Sequence, residues 1–87
     1  MTIEEVHNHA EEMLSHRTHD YGKIEIKCWV YHSESRVKNG NPPFTFANYS
    51  RCLGKDVPLD YIKWGLIDVS DIGGKEKATE IVNRWYS

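Results

Sequence analysis

The first twenty residues concentrate the side chains best suited to bind a metal ion or to move a proton. Four of the five histidines and five of the thirteen acidic residues lie between residues 4 and 20. If this stretch is a helix, Glu5, His9, Glu12 and His16 line one flank, because successive members are three or four residues apart. Imidazole and carboxylate groups at that spacing can hold a divalent cation such as zinc.

The competing interpretation is a solvated helix flank whose positive charge rises below about pH 6.5. A closed zinc site normally needs four converging ligands, and a single exposed helix face seldom supplies them. We therefore favour the solvated flank. In the competing metal interpretation, the candidate ligands are His9, Glu12 and His16. No cofactor is expected.

The two cysteines, Cys28 and Cys52, are the candidate nucleophiles. Nucleophilic catalysis needs a base and an orienting acid beside the nucleophile, and the sequence contains no local signature such as G-x-S-x-G. Cys28 and His32 would lie roughly 13 Å apart on a regular strand, too far to share one metal ion. The sequence therefore leaves catalytic activity open but favours a protein without it. Two cysteines are too few for a disulfide scaffold.

The central third of the chain is basic and its ends are acidic. Residues 21 to 55 carry six basic and two acidic residues, which gives +4, whereas residues 1 to 20 carry −4 and residues 56 to 87 carry −2. A nonspecific nucleic-acid coat would normally be basic overall, and this chain has a net charge of −2. The distribution still leaves room for a localised anionic partner.

Aromatic residues are interleaved with these bases. Single-stranded nucleic acids are bound by such mixtures on a sheet, where rings stack on bases and cations hold phosphates. The stretch "PPFTFANYSR" resembles the aromatic strand of RNA-recognition modules over about eight residues, although it lacks the glycines of that motif. The ten aromatic residues of the chain also exceed what one small core can hide, so several should be exposed and available to anchor a protein interface.

A helix is predicted to start at the capping box formed by Thr2 and Glu5 and to run to about His16. The alternation of apolar and polar residues in "KIEIKCWVYHS" predicts a strand, and "FTFANYS" predicts a second one. Asn39-Gly40 and Pro42-Pro43 place an exposed loop or hairpin tip between them.

Two further helices are predicted near the end of the chain. One begins at Asp56 or Val57 ahead of Pro58 and runs to about Ile67, and the other contains Ala78, Ile81, Val82 and Trp85 at helical spacing. Residues 66 to 72 fit a third strand about as well as a helix end. The expected fold is a single compact α+β domain over residues 1 to 87, with an N-terminal helix, a central antiparallel sheet of two or three strands and two C-terminal helices.

The leading functional hypothesis is a small binding module that acts as an inhibitor or adaptor on a larger protein or nucleoprotein assembly. Accessory proteins encoded by phages have this general character, which is an analogy of type. The predicted contact is the two-stranded sheet and its loop. The residues expected to carry it are Trp29, Tyr31, Arg36, Lys38, Tyr49 and Arg51.

Two alternative hypotheses are binding of RNA or single-stranded DNA by the same surface, and a metal-dependent or catalytic role on the first helix. A homodimer is also possible, because Trp85 and Tyr86 lie near the last residue, where a helix end would fray. No apolar run approaches the roughly 18 residues that span a bilayer. The sequence therefore predicts a cytoplasmic protein with no membrane partner.

Overall fold

The structure, a computed structural model, describes residues 1–16 and 19–87. These residues form five α-helices and one short 3-10 helix, and no β-strand occurs among them. The elements in chain order are α1 (Ile3–Ser15), α2 (Asp20–Lys38), α3 (Phe46–Cys52), α4 (Asp56–Lys63), the 3-10 helix (Ser70–Ile72) and α5 (Lys75–Trp85). The predicted α+β fold with a central antiparallel sheet is therefore wrong, because the predicted hairpin is helical in both arms.

The first helix, α1, begins and ends where the sequence predicts. The Thr2 hydroxyl accepts a hydrogen bond from the Glu5 backbone N–H at 3.1 Å, and the Glu5 carboxylate accepts from the Thr2 N–H at 3.2 Å. These bonds satisfy amide groups that a helix start would otherwise leave free, and they hold the pKa of Glu5 below its usual range. Val6 and Ala10 are the buried residues of α1, which packs on α2.

The central helix, α2, contacts all four other helices of the described chain. Two residues advance a helix by about 200°, so an alternating apolar pattern places side chains on two opposite faces. Ile24 and Cys28 lie one turn apart on one face, and Ile26 and Val30 lie one turn apart on the other. The alternation that predicted a strand thus belongs to a helix covered on opposite sides.

The Asn39-Gly40 pair ends α2 instead of turning a hairpin. The Gly40 N–H donates to the Val37 carbonyl at 3.0 Å, and the Asn41 N–H donates to the Arg36 carbonyl at 2.9 Å. This is a Schellman cap, and Gly40 has the left-handed φ of 79° that the cap requires. Hairpin turns and helix caps both need positive φ, so the same dipeptide suits either.

The second predicted strand is replaced by the seven-residue helix α3. The Thr45 hydroxyl caps its first turn by accepting from the Asn48 N–H at 3.4 Å. The Ser50 hydroxyl donates to the Glu25 carboxylate at 2.6 Å and ties α3 to α2. A helix this short is marginal alone, so these contacts with α2 are what stabilise it.

The structure confirms the two C-terminal helices, although α4 ends at Lys63 and not near Ile67. Pro58 lies buried in the first turn of α4, and α5 buries Ala78, Ile81 and Val82. Residues 66 to 72, for which the sequence left a strand and a helix end open, form a short link and the 3-10 helix.

The end of α5 is fastened to two other parts of the chain. The single proton of the Tyr86 hydroxyl is donated to the Leu53 carbonyl at 3.1 Å, so at 2.6 Å the Tyr21 hydroxyl is the donor to Tyr86. The indole of Trp85 stacks on Tyr21 and on His19, with ring centroids 4.8 Å and 5.0 Å away. We call this group the C-terminal clasp.

Candidate functional site

Two of the six predicted contact residues, Trp29 and Tyr49, lie in the hydrophobic core. Their side chains are 1% and 9% exposed. The Trp29 indole N–H donates to the Phe44 carbonyl at 2.8 Å and so anchors the loop before α3. Burial also raises the pKa of Tyr49. Neither ring offers a face for a partner to cover.

Arg36 holds the loop that follows α2. Its Nε donates to the Pro42 carbonyl at 2.7 Å, and its guanidinium carbon lies 4.1 Å from the centroid of the Phe44 ring. The hydrogen bond occupies the Nε donor of the guanidinium, and the cation–π contact with Phe44 uses its positive charge. Arg36 therefore has a structural role that a sequence pattern does not reveal.

The other three predicted contact residues are exposed. Tyr31 and Lys38 lie on α2 and line one shallow depression together with Glu34. Arg51 is exposed on α3, which is a separate helix. The structure thus brings Tyr31 and Lys38 together and places Arg51 on a different element.

The proposed metal ligands on α1 have separate surroundings. The His9 ring lies edge-on to the Trp29 ring at 5.5 Å between centroids, and His16 is the residue that caps the end of α1. No group of three histidine, cysteine, aspartate or glutamate side chains within residues 1–16 and 19–87 is placed to hold a metal ion. His9, Glu12 and His16 do not form a metal centre in this geometry.

The two cysteines differ in exposure, and neither is in a disulfide within the described chain. Burial raises the pKa of the Cys28 thiol to about 12, so this sulfur stays protonated and unreactive near neutral pH. His32 packs in the same region, with its Nδ1 3.0 Å from the Tyr61 hydroxyl. Burial, with a smaller contribution from the nearby Arg36 cation, lowers the pKa of His32 and favours its neutral form.

A surface that the sequence did not predict lies where α2 meets α4. The rings of Tyr31 and Tyr61 meet edge to face, with centroids 5.2 Å apart and an interplanar angle of 71°. Trp64 follows Tyr61 by one turn and is 61% exposed, and Tyr31 is 39% exposed. We call these three residues the aromatic face. Tyr61 and Trp64 also border an apolar pocket of about 180 Å³.

The helix α4 is capped immediately after Trp64. The Leu66 N–H donates to the Tyr61 carbonyl at 3.0 Å, and the Gly65 N–H donates to the Ile62 carbonyl at 3.1 Å. This second Schellman cap turns the chain immediately after Trp64, with Gly65 at a φ of 69°. The tryptophan is therefore displayed from an ordered helix end. Its signal in the sequence is a tyrosine and a tryptophan three residues apart, followed by glycine.

A groove runs between α1 and α2 and opens beside Tyr31. Its volume is about 330 Å³, and its third wall is the link after α4. The apolar lining residues are Ala10, Leu14, Ile26, Val30, Leu66 and Ile67. The charged and titratable lining residues are His7, Glu11, Lys27, Glu34 and Asp68.

No protein-family model matches this chain, and neither a curated protein nor a solved structure matches it. Within the part of the chain that the structure describes, no helix has both the length and the apolar character needed to cross a bilayer. The fold and the surface define a small helical protein with an aromatic face at the junction of α2 and α4 and a groove beside it.

Proposed function

We propose that this protein is a small binding module, without catalytic activity, that acts as an inhibitor or adaptor by occupying a surface of a larger protein assembly. The observation that carries the proposal is the aromatic face. An indole that is 61% exposed at a capped helix end, beside two tyrosines in contact with each other, is a costly arrangement in water. Tryptophan and tyrosine are also the residues that most often anchor protein interfaces.

The same geometry favours a protein partner over RNA or single-stranded DNA. Binding of a single strand needs rings open to stacking and cations free to hold phosphates. Trp29 and Tyr49 are buried, and the Arg36 guanidinium is engaged with Phe44 and Pro42. The basic side chains that stay exposed near α2 and α3, Lys38 and Arg51, lie on separate helices. A nucleoprotein assembly remains compatible with the proposal if its protein component makes the contact.

We place this activity in the cytoplasm. Cys28 and Cys52 are both free thiols, and Cys52 is exposed. An exposed free thiol suits a reducing compartment. A homodimer is a separate outcome that light scattering at several concentrations would detect. Trp85 and Tyr86 are engaged in the C-terminal clasp, so a dimer would have to form around the clasp or use another surface.

The test is affinity capture from the native host with two tryptophan variants. Trp64→Ala should reduce recovery of the partner at least tenfold, because truncating a central aromatic anchor typically costs about 2 kcal/mol or more of binding. Its thermal stability should change little, since Trp64 makes none of the ring contacts seen among the described aromatic residues. Nuclease treatment of the lysate should leave the capture intact.

Trp85→Ala is the matched control. Trp85 is 54% exposed but stacks on Tyr21, so its loss should lower stability and leave capture intact below the unfolding temperature. Equal recovery with Trp64→Ala and the unsubstituted protein would overturn the proposal. Loss of the partner on nuclease treatment would favour direct nucleic-acid binding instead.

A further inference from the structure

We infer that the groove between α1 and α2 binds a basic segment of the partner that inserts an apolar side chain, in the manner of an amphipathic helix laid along the two helices. This inference rests on the proposed function and specifies the chemistry of the partner. The groove and the aromatic face share Tyr31 as a common edge, because Tyr31 lines the groove and contacts Tyr61. A single partner can therefore cover both.

The floor of the groove suits an apolar side chain. Ala10 lies on α1 one turn before Leu14, and Ile26 lies on α2 one turn before Val30. These two pairs of residues run along packed helices with a trough between them, and the small side chain of Ala10 widens the trough. The volume of about 330 Å³ accommodates one or two large aliphatic or aromatic side chains of a docked segment.

The rim of the groove is acidic. Glu11 lies on α1, Glu34 on α2 and Asp68 on the link after α4, so carboxylates come from three different elements around the opening. Among the described residues that line the groove, Lys27 is the one lysine, and its ammonium nitrogen lies 3.6 Å from a carboxylate oxygen of Asp71. The lysine charge is therefore already balanced by an acid outside the groove.

The partners of the rim carboxylates leave capacity for a cation. Glu34 pairs with His7 across α1 and α2 through one of its two carboxylate oxygens. Asp68 accepts from the Ser70 N–H at 2.9 Å, which uses one of its two oxygens and, with a smaller contribution from Lys27, lowers its pKa. The rim is thus negative at neutral pH, and its complement is a segment with lysine or arginine on both sides of the apolar anchor.

The experiment uses synthetic helical peptides of about 16 residues with a leucine stripe. One peptide carries lysine beside the stripe, a second carries glutamate there, and a third keeps the lysines but has glutamine in the stripe. Fluorescence anisotropy should show saturable binding of the first peptide and at least tenfold weaker binding of the other two. Amide NMR shifts should change at Ala10, Leu14 and Val30 and stay unchanged at Thr79.

Neutralising the rim carboxylates tests whether they, and not the overall charge of the protein, attract the lysine peptide. The double variant Glu11→Gln with Asp68→Asn should bind the lysine peptide about five- to tenfold more weakly, because two of the three rim carboxylates that attract the lysines are then neutral. The control removes the same charge from α5, through Glu76→Gln with Glu80→Gln, and should bind as the unsubstituted protein does.

Two outcomes would overturn the inference: equal loss of binding in both double variants, which means that overall charge attracts the peptide, or no saturable binding of the lysine peptide. Either result leaves the proposed function standing if Trp64→Ala reduces recovery of the host partner at least tenfold. Conversely, capture that survives Trp64→Ala overturns the proposed function, even where the groove binds the lysine peptide.

Discussion

Ser33 carries a polar atom into the interior of the molecule. Its side chain is fully buried in α2, and its hydroxyl has no hydrogen-bond partner among the described residues. Alanine has a hydrogen in place of the buried, unpaired hydroxyl, which removes a desolvation cost, and alanine favours a helix more than serine does. Ser33 thus lowers the stability of the helix that contacts all the others.

Ser33→Ala should raise the free energy of unfolding by about 1 to 2 kcal/mol. Urea denaturation followed by circular dichroism measures it. Ser35→Ala, on the exposed side of the same helix, is the control, and it should gain only the difference in helix propensity, about 0.5 kcal/mol. A lower stability for Ser33→Ala would mean that the hydroxyl makes a bond that stabilises the native state.

Three of the six predicted contact residues are not available to a partner, and Trp29 shows why the sequence did not reveal this. Trp29 and Tyr31 are two positions apart, so on a strand both would lie on the same face. On the helix they point about 200° apart, and one is in the core while the other is exposed. Predicting a strand where the chain forms a helix therefore gives the wrong burial for one of two residues that are two positions apart.

The helices that could be predicted from the sequence are those with a single buried face or with a capping signal in the local sequence. The capping box of α1, Pro58 in α4 and the apolar stripe of α5 are short-range signals that survive in the structure. For α2 the deciding information is long-range, since its apolar residues face different helices on opposite sides. No local rule separates such a helix from a strand.

The aromatic face depends on the backbone conformation of Gly65 at the end of α4. Its φ of 69° lies in the left-handed region, where a side chain with a Cβ costs about 1 to 2 kcal/mol. Gly65→Ala should therefore lower the free energy of unfolding by about that amount, measured by urea denaturation. No heavy atom lies within 4 Å of the added Cβ, so backbone conformation is the cause of the loss.

Gly54→Ala provides the comparison for Gly65→Ala. An added Cβ at Gly54 also meets no atom within 4 Å, and Gly54 is not among the glycines with positive φ. Alanine there should leave stability unchanged or raise it by up to about 1 kcal/mol, because it restricts the unfolded chain. Equal losses for the two variants would contradict the account of the α4 cap.

At the scale of the whole molecule, the C-terminal clasp connects parts of the chain that are far apart in sequence. Tyr86 joins Leu53 and Tyr21 through its single hydroxyl. The sequence predicted the helix that carries it and offered no means of pairing two tyrosines 65 residues apart. Contacts of this kind depend on the assembled fold, as does the aromatic face between α2 and α4.

Tyr86→Phe should lower the free energy of unfolding by about 1 to 2 kcal/mol, because it removes the bond to the Leu53 carbonyl and leaves the Tyr21 hydroxyl without its acceptor. Thermal or urea unfolding measures the change. Tyr31→Phe, which removes an exposed hydroxyl from α2, should stay within about 0.5 kcal/mol of the unsubstituted protein. Similar values for the two variants would show that the clasp adds nothing to stability.

The three indoles sample three environments: Trp29 is enclosed, Trp85 is stacked and half open, and Trp64 meets solvent. Steady-state tryptophan fluorescence can therefore distinguish changes in the core, in the C-terminal clasp and at Trp64, which a single melting curve reports together. Quenching by a water-soluble agent such as iodide should reach Trp64 first, and occlusion of that indole would report a bound partner while the emission of Trp29 stays constant. Single-tryptophan versions of the chain would give a separate optical reporter for the interior, the clasp and the docking surface.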